Sequence, residues 1–154
     1  MLKSVLGLFW VNTPKFFRKF VIRFSQQRFA VSVGVAIIDD ANRVLLLKHV
    51  FRPGSGWGIP GGFINKREDP EKAVRRELAE EIGLKLENVR IVHARTFRNA
   101  NHVEILFRAT PVGTPNPRSV EISDLGWFRF EDLPHGLNED QKGFIECILN
   151  GDPL

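Results

Sequence analysis

Residues 62–84 read GFINKREDPEKAVRRELAEEIGL, a glycine-rich turn leading into a segment whose local chemistry supports a helix, apolar on one edge and acidic on another. Asp69 supplies an N-cap, Pro70 suits the first helical position, and Glu71 puts an acid where the helix dipole favours one. Ala73, Leu78, Ala79 and the charged residues between them are mostly good helix formers, and Gly83 stands where a left-handed C-cap is expected. Val74, Leu78 and Ile82 recur at i, i+4 and i+8, so one stripe faces a core. Glu77, Glu80 and Glu81 share an arc beside that stripe. Like charges at this spacing repel. A hard divalent cation, which prefers oxygen ligands, is the direct compensation.

The positions Gly62, Glu68, Arg76, Glu77, Leu78, Glu80, Glu81, Gly83 and Leu84 fit G-x5-E-x7-R-E-U-x-E-E-x-G-U, with U aliphatic. The stretch resembles the signature box of the Nudix hydrolases. So long a motif, in the right loop-to-helix context, is specific. One departure is Arg67, which precedes Glu68 where many members carry glycine. The resemblance implies an α/β fold, the Nudix α/β/α sandwich around a mixed β-sheet, over residues 28–150. It also implies Mg²⁺ as cofactor, with Mn²⁺ as a substitute, and hydrolysis of a pyrophosphate bond in a small nucleotide substrate. By the same resemblance the Gly61 carbonyl, Glu77, Glu80 and Glu81 are metal ligands, Arg76 holds the glutamates in place, and Glu68 braces the loop. A further carboxylate from outside the box often completes such sites. Glu121 is the first choice and Glu104, in mid-strand, the second; the alternative for Glu121 is a solvated loop acid. Either Glu77 or Glu121 is the general base.

The residue chemistry agrees with that expectation. Pyrophosphate hydrolysis needs charge neutralised on adjacent phosphates and a water held in line, and metal ions supply both. Mg²⁺ suits carboxylates, backbone carbonyls and substrate oxygens. Glu77 and Glu81, one turn apart, can converge on it.

At 154 residues the chain is long enough for one domain with a real core and too short for two ordinary ones. Its only cysteine, Cys147, excludes an internal disulfide and any multi-cysteine zinc site. Lying among Phe144, Ile145, Ile148 and Leu149, it reads as buried apolar filler. Charge is unevenly spread. Lys3, Lys15, Arg18, Lys19, Arg23 and Arg28 give residues 1–28 a charge of +6 with no acid, while 16 basic and 18 acidic residues leave the remainder at −2. The basicity therefore belongs to an arm, and nucleic acid is not expected as a partner.

That arm, residues 1–27, has two parts. Residues 2–11 are apolar except for Lys3 and Ser4, too short to span a bilayer, and lack a small-residue cleavage site, so a cytoplasmic protein is expected. Thr13 and Pro14 read as N-cap and first helical residue. On the helix that follows, Phe16, Phe17, Phe20, Val21 and Phe24 fill one side and Lys15, Arg18, Lys19 and Arg23 the other, with Ile22 breaking the division. Its phenyl face packs on the domain or pairs with a second copy as a homodimer, or residues 14–24 lie on an anionic membrane surface. Residues 151–154 form a short tail.

Across the domain, strands are expected at 29–38, 43–49, 89–97, 102–109 and 125–130, and a C-terminal helix at 138–149. Asp39-Asp40-Ala41-Asn42 and the stretch from Arg98 to Asn101 are turns, residues 53–62 a loop or very short strand, and 111–117 a Pro/Gly-rich excursion. Gly56-Trp57-Gly58-Ile59-Pro60-Gly61 satisfies G-x-G-x-x-G, yet a dinucleotide site needs the helix to open directly after it. Pro60 intervenes, which argues against a Rossmann reading.

Substrate cues lie outside the box. Arg52 and Trp57 flank the loop that enters it, placed to clamp phosphate and stack a base; the alternative is a solvated Arg52 and a core Trp57. The run Phe51-Arg52-Pro53 before Trp57 is similar to nucleotide-sugar members of the family. That makes ADP-ribose or a nucleotide sugar the leading class. The alternatives are a nucleoside triphosphate pyrophosphohydrolase that removes damaged nucleotides, and a non-catalytic Nudix-fold regulator that binds nucleotide.

Overall fold

The structure is a computed structural model that describes residues 10–97 and 100–151. Residues 2–9 of the apolar arm, Arg98 and Asn99 of the expected turn, and residues 152–154 of the tail lie outside the described residues.

Strands β1 (Ala30–Ile37) and β2 (Val44–His49) are buried on both faces, and this decides the architecture. Val33, Val35, Ile37, Leu45 and Leu47 point into a cluster with Ala73, Val74, Leu78 and Ile82 of the box helix, α2 (Pro70–Ile82). Ala36, Val44 and Leu46 point the opposite way, into a cluster with Leu137 and with Phe144, Ile145 and Ile148 of α3 (Glu139–Asn150). Alternation along a strand thus places one helix on each side of the sheets, giving the α/β/α layering.

The sheets are built from β1 and β2 with β3 (Trp57–Gly58), β4 (Gly61–Phe63), β5 (Lys85–Thr96), β6 (His102–Val112) and β7 (Ile122–Phe128). One has the order β4-β1-β6-β5 and the other β3-β2-β7. The first is mixed: β1 runs parallel to β6, while β4 and β5 pair antiparallel with their neighbours. The second is antiparallel.

Several boundaries differ from expectation for local reasons. β5 starts at Lys85 instead of residue 89, because bulges around Asn88 (φ 51°) and Val92 absorb residues that break the alternation. β6 runs on through Pro111, opposite Leu86; β1 has ended by then, so Pro111 has a paired neighbour on one side only. β7 spans Ile122–Phe128, and Phe130 opens a 3-10 turn, Phe130–Asp132. Helix α1 (Lys15–Ser25) begins one residue later than read, with extended Pro14 (ψ 141°) as N-cap, and none of its residues is buried. Cys147 is half-buried rather than core. Of the glycines in the G-x-G-x-x-G run, Gly56 precedes β3, Gly58 ends it and Gly61 opens β4, all well ahead of α2. No helix among the described residues is long and apolar enough to cross a membrane.

Candidate active site

Helix α2 is capped as its sequence requires. The Asp69 side chain accepts from the Glu71 amide (3.3 Å), and left-handed Gly83 (φ 67°) returns its N–H to the Ala79 carbonyl. These caps set the rotation of the helix and hence the direction of its acids. Arg76 gathers them. Its Nε donates to Glu68 Oε1 (2.7 Å) and Nη2 to Glu68 Oε2 (3.0 Å). Nη1 donates to Glu77 Oε1 (2.9 Å) and Glu80 Oε2 (3.3 Å), and Nη2 also reaches the Phe63 carbonyl (3.2 Å). Hydrogen bonds from Arg76, then from the Asn65 amide, pull the Glu68 carboxyl down to about 2. The turn that presents Glu68 needs left-handed Arg67 (φ 66°), the position where glycine is the commoner choice. Arg67→Gly is therefore expected to raise unfolding stability by about 0.5 kcal/mol, relief of left-handed strain outweighing glycine's entropy. Urea unfolding checks it, and a lower midpoint for the variant refutes it.

The floor of the site is backbone. Gly61 and Gly62 pair with Gly34 and Val33 across β4 and β1. A Cβ on Gly61 would overlap the Val33 carbonyl, and one on Gly62 would overlap the Glu77 carboxylate. The acid of the helix thus lies directly against the β4 main chain, which only glycine permits.

Glu81 lies deepest, 8% exposed, with Oε2 lacking a hydrogen-bond partner among the described residues. Burial pushes its carboxyl up to about 8; Glu77, Glu121 and Glu80 push the same way, and Arg52 opposes them. Glu121 reaches this neighbourhood because its loop is stitched to the last turn of α2. The Arg118 and Ser119 amides donate to the Glu81 carbonyl (2.8 and 3.2 Å), and the Asn116 amide to the Ile82 carbonyl (2.9 Å). Glu121 itself is exposed. Glu104 is directed elsewhere, paired with Arg95 (2.7 Å). Among the described residues no three acidic, imidazole or thiol side chains are gathered tightly enough to hold an ion as they stand, since Arg76 draws Glu77 and Glu80 to itself. The donor set still fits a hard cation: a buried carboxylate oxygen without a partner, three further acids within electrostatic range, and a glycine floor beneath them.

Beside the box lie two adjoining cavities, of about 190 and 220 Å³, which share Arg52, Glu104 and Gln141. Arg52 is not solvated: its guanidinium covers Gly58, and Nη1 is buried without a partner among the described residues. Burial lowers its pKa, against the pull of Glu81 and Glu104. Trp57 is half-buried; its ring meets the edge of Phe128 (5.2 Å) and also lines the second cavity. Three wall residues had gone unread. Gln141 Oε1 accepts from the Ile59 amide (3.1 Å), His102 bonds Ser32 Oγ (2.7 Å) between the rings of Phe63 and Phe97, and Arg95 faces Glu104 across β5 and β6. Only the last pair carried a signal, since an acid within an apolar strand asks for a partner.

His49, at the end of β2, has a buried Nε2 without a partner among the described residues, and burial, then Arg52, pushes its imidazole down to about 4. The neutral ring is the folded form. Its contribution is complete above the ordinary value of 6.5 and is lost as pH falls towards 4. We expect about 1 kcal/mol to disappear across that window, after allowing for solvent screening, and His49→Gln to flatten the slope. Denaturation at several pH values tests this; an unchanged slope in the variant excludes His49 as its source.

A NUDIX domain model matches residues 28–147. The chain belongs to the NUDIX family. Among solved structures, this Nudix chain is similar to a MutT NUDIX hydrolase from Burkholderia pseudomallei, 33% identical over 78% of this chain and 98% of that one, TM-score 0.69. The NUDIX domain of Shewanella oneidensis NrtR complexed with ADP ribose shares the fold at 21% identity, covering 94% and 97%, TM-score 0.69. An RNA pyrophosphohydrolase from Pseudomonas aeruginosa is 41% identical over 64 residues, 42% of this chain and 39% of the relative. The match thus spans about two-fifths of the length of that curated relative.

Proposed function

We propose that this Nudix chain hydrolyses the diphosphate bond of a nucleoside diphosphate linked to another group, using Mg²⁺. The observation that carries the reading is the buried Glu81 oxygen, without a hydrogen-bond partner among the described residues, amid Glu77, Glu80 and Glu121. Glu77, Glu80, Glu81 and the Gly61 carbonyl would hold the ion, with Glu121 available from the adjoining loop. When bound, such an ion neutralises charge on the phosphates and lowers the pKa of the attacking water. Arg76 keeps the glutamates ordered, and Arg52, which lines both cavities and whose Nη1 has no partner among the described residues, holds a substrate phosphate.

Arg76 already engages Glu77, whereas Glu121 stands on the open side of the site, so the general-base role goes to Glu121. Glu121→Gln is expected to lower kcat by roughly 10²–10³-fold with folding intact. Steady-state kinetics read it; a kcat within a factor of two or so of the parent removes Glu121 from proton transfer.

ADP-ribose or a nucleotide sugar is the leading class, because Glu104, Arg95 and Gln141 line the cleft beyond Arg52 and offer partners to sugar hydroxyls. A second reading, release of pyrophosphate from a nucleoside triphosphate, is favoured by the names of the relatives, a MutT hydrolase and an RNA pyrophosphohydrolase. A nucleotide panel with Mg²⁺ and product identification tests both. Two monophosphate products support the first, inorganic pyrophosphate the second, and tight binding without turnover across the panel overturns hydrolysis altogether.

A further inference from the structure

Helix α1 contributes nothing to the site, and it leaves both of its faces open. At 100° per residue Phe16, Phe17, Phe20, Val21 and Phe24 occupy an arc of about 140°. Lys15, Arg18, Lys19 and Arg23 occupy the opposite arc, with Ile22 among them. No residue of the helix is buried: Phe16 is 75% and Phe24 69% exposed, and the Phe20 and Phe24 rings lie 4.4 Å apart on the open side. Trp10 and Val11, just ahead of it, are exposed as well. So much open aromatic surface marks an interaction site.

Charge selects the occupant. Arg23 borders Phe16 on one edge of the phenyl face and Arg18 borders Val21 on the other, and residues 1–28 contain no acid. Laying the face against the same face of a second copy brings like charges together at both seams, with no carboxylate on the helix to offset them. An anionic bilayer satisfies both halves at once. The rings enter the acyl boundary, while the arginine and lysine stems run back to the headgroups. The rest of the chain, at −2, adds no attraction of its own. We propose that α1 is a peripheral anchor, lying in the headgroup plane of an anionic lipid surface with its phenyl face inward.

The test is flotation of the full chain with phosphatidylcholine vesicles, with and without phosphatidylserine. The protein is expected to float with phosphatidylserine vesicles only, and to lose roughly tenfold or more in affinity as salt screens the headgroups. The charge reversal K15E/R18E/K19E/R23E, and separately Phe20→Asp, should each abolish flotation while circular dichroism and turnover stay at parent levels. Failure of the parent to float with phosphatidylserine vesicles overturns the proposal. So does equal flotation on neutral vesicles, or full flotation of the charge-reversed chain. A dimer in sedimentation equilibrium that Phe20→Asp dissolves, with no lipid binding by the parent, assigns the face to a second copy instead.

Discussion

Glu81→Gln is expected to abolish Mg²⁺-dependent turnover and, at the same time, to stabilise the metal-free protein. The two effects share one cause. The Glu81 carboxylate is buried, its Oε2 has no partner among the described residues, and three other glutamates oppose its ionisation. With the carboxyl raised to about 8 from an ordinary 4.5, the neutral acid suits the fold. Ionisation costs the metal-free protein stability progressively as pH climbs through that interval. Glutamine removes the cost, on the order of 2 kcal/mol at neutral pH. It also removes the negative oxygen that a divalent ion needs, so turnover should fall by roughly 10³-fold or more. Added Mg²⁺ should raise the parent's melting temperature and leave the variant's unchanged. A variant that melts no higher than the metal-free parent, or that turns over at parental rates, contradicts this account of Glu81.

Arg76→Ala should be the most damaging single change to the ordering of the site. One guanidinium, about a quarter exposed, holds Glu68 through two parallel bonds and Glu77 and Glu80 through a third nitrogen. Its loss leaves two well-covered acids unpaired beside a third. The expected cost is about 2–3 kcal/mol, below the range for fully buried pairs because water still reaches this one. Arg76→Lys should recover only a minor part, since a single ammonium cannot match the fork that spans Glu68 and Glu77. Turnover is expected to fall roughly 10²-fold in both, as the proposed ligands lose their fixed geometry. Chemical denaturation and kinetics on the same preparations decide the matter. Lysine restoring full stability and rate would mean that Arg76 supplies charge alone.

What could be read ahead of the structure follows the range of the interactions involved. Asp69, Pro70 and Gly83 act within one turn of their own helix, so the box helix was legible residue by residue. Its core stripe, Val74, Leu78 and Ile82, was equally plain from spacing. The strand ends were less so, because a bulge at Asn88 and a missing neighbour at Pro111 are properties of pairs of strands. Arg52 was the hardest to place. Its burial depends on Gly58 leaving room for a guanidinium, a contact between two short segments of a glycine-rich turn with no periodic pattern. The segment around Glu121 singles it out, but its approach to Glu81 depends on three hydrogen bonds from amides of its own loop to the end of α2, far away in the chain.

Arg52 has a consequence beyond its own contacts. Arg52 is coupled electrostatically to Glu81, on the proposed metal-binding side, and to Glu104 on the cleft wall, so the proposed cutting and selecting parts of the molecule are not electrically insulated. A substitution that adds or removes charge on the β6 wall changes how far Arg52 can offset the crowding of acids at the helix. Altered preference for a leaving group and altered demand for the ion are therefore expected to travel together in this scaffold. Retuning one while sparing the other calls for a compensating charge near position 52.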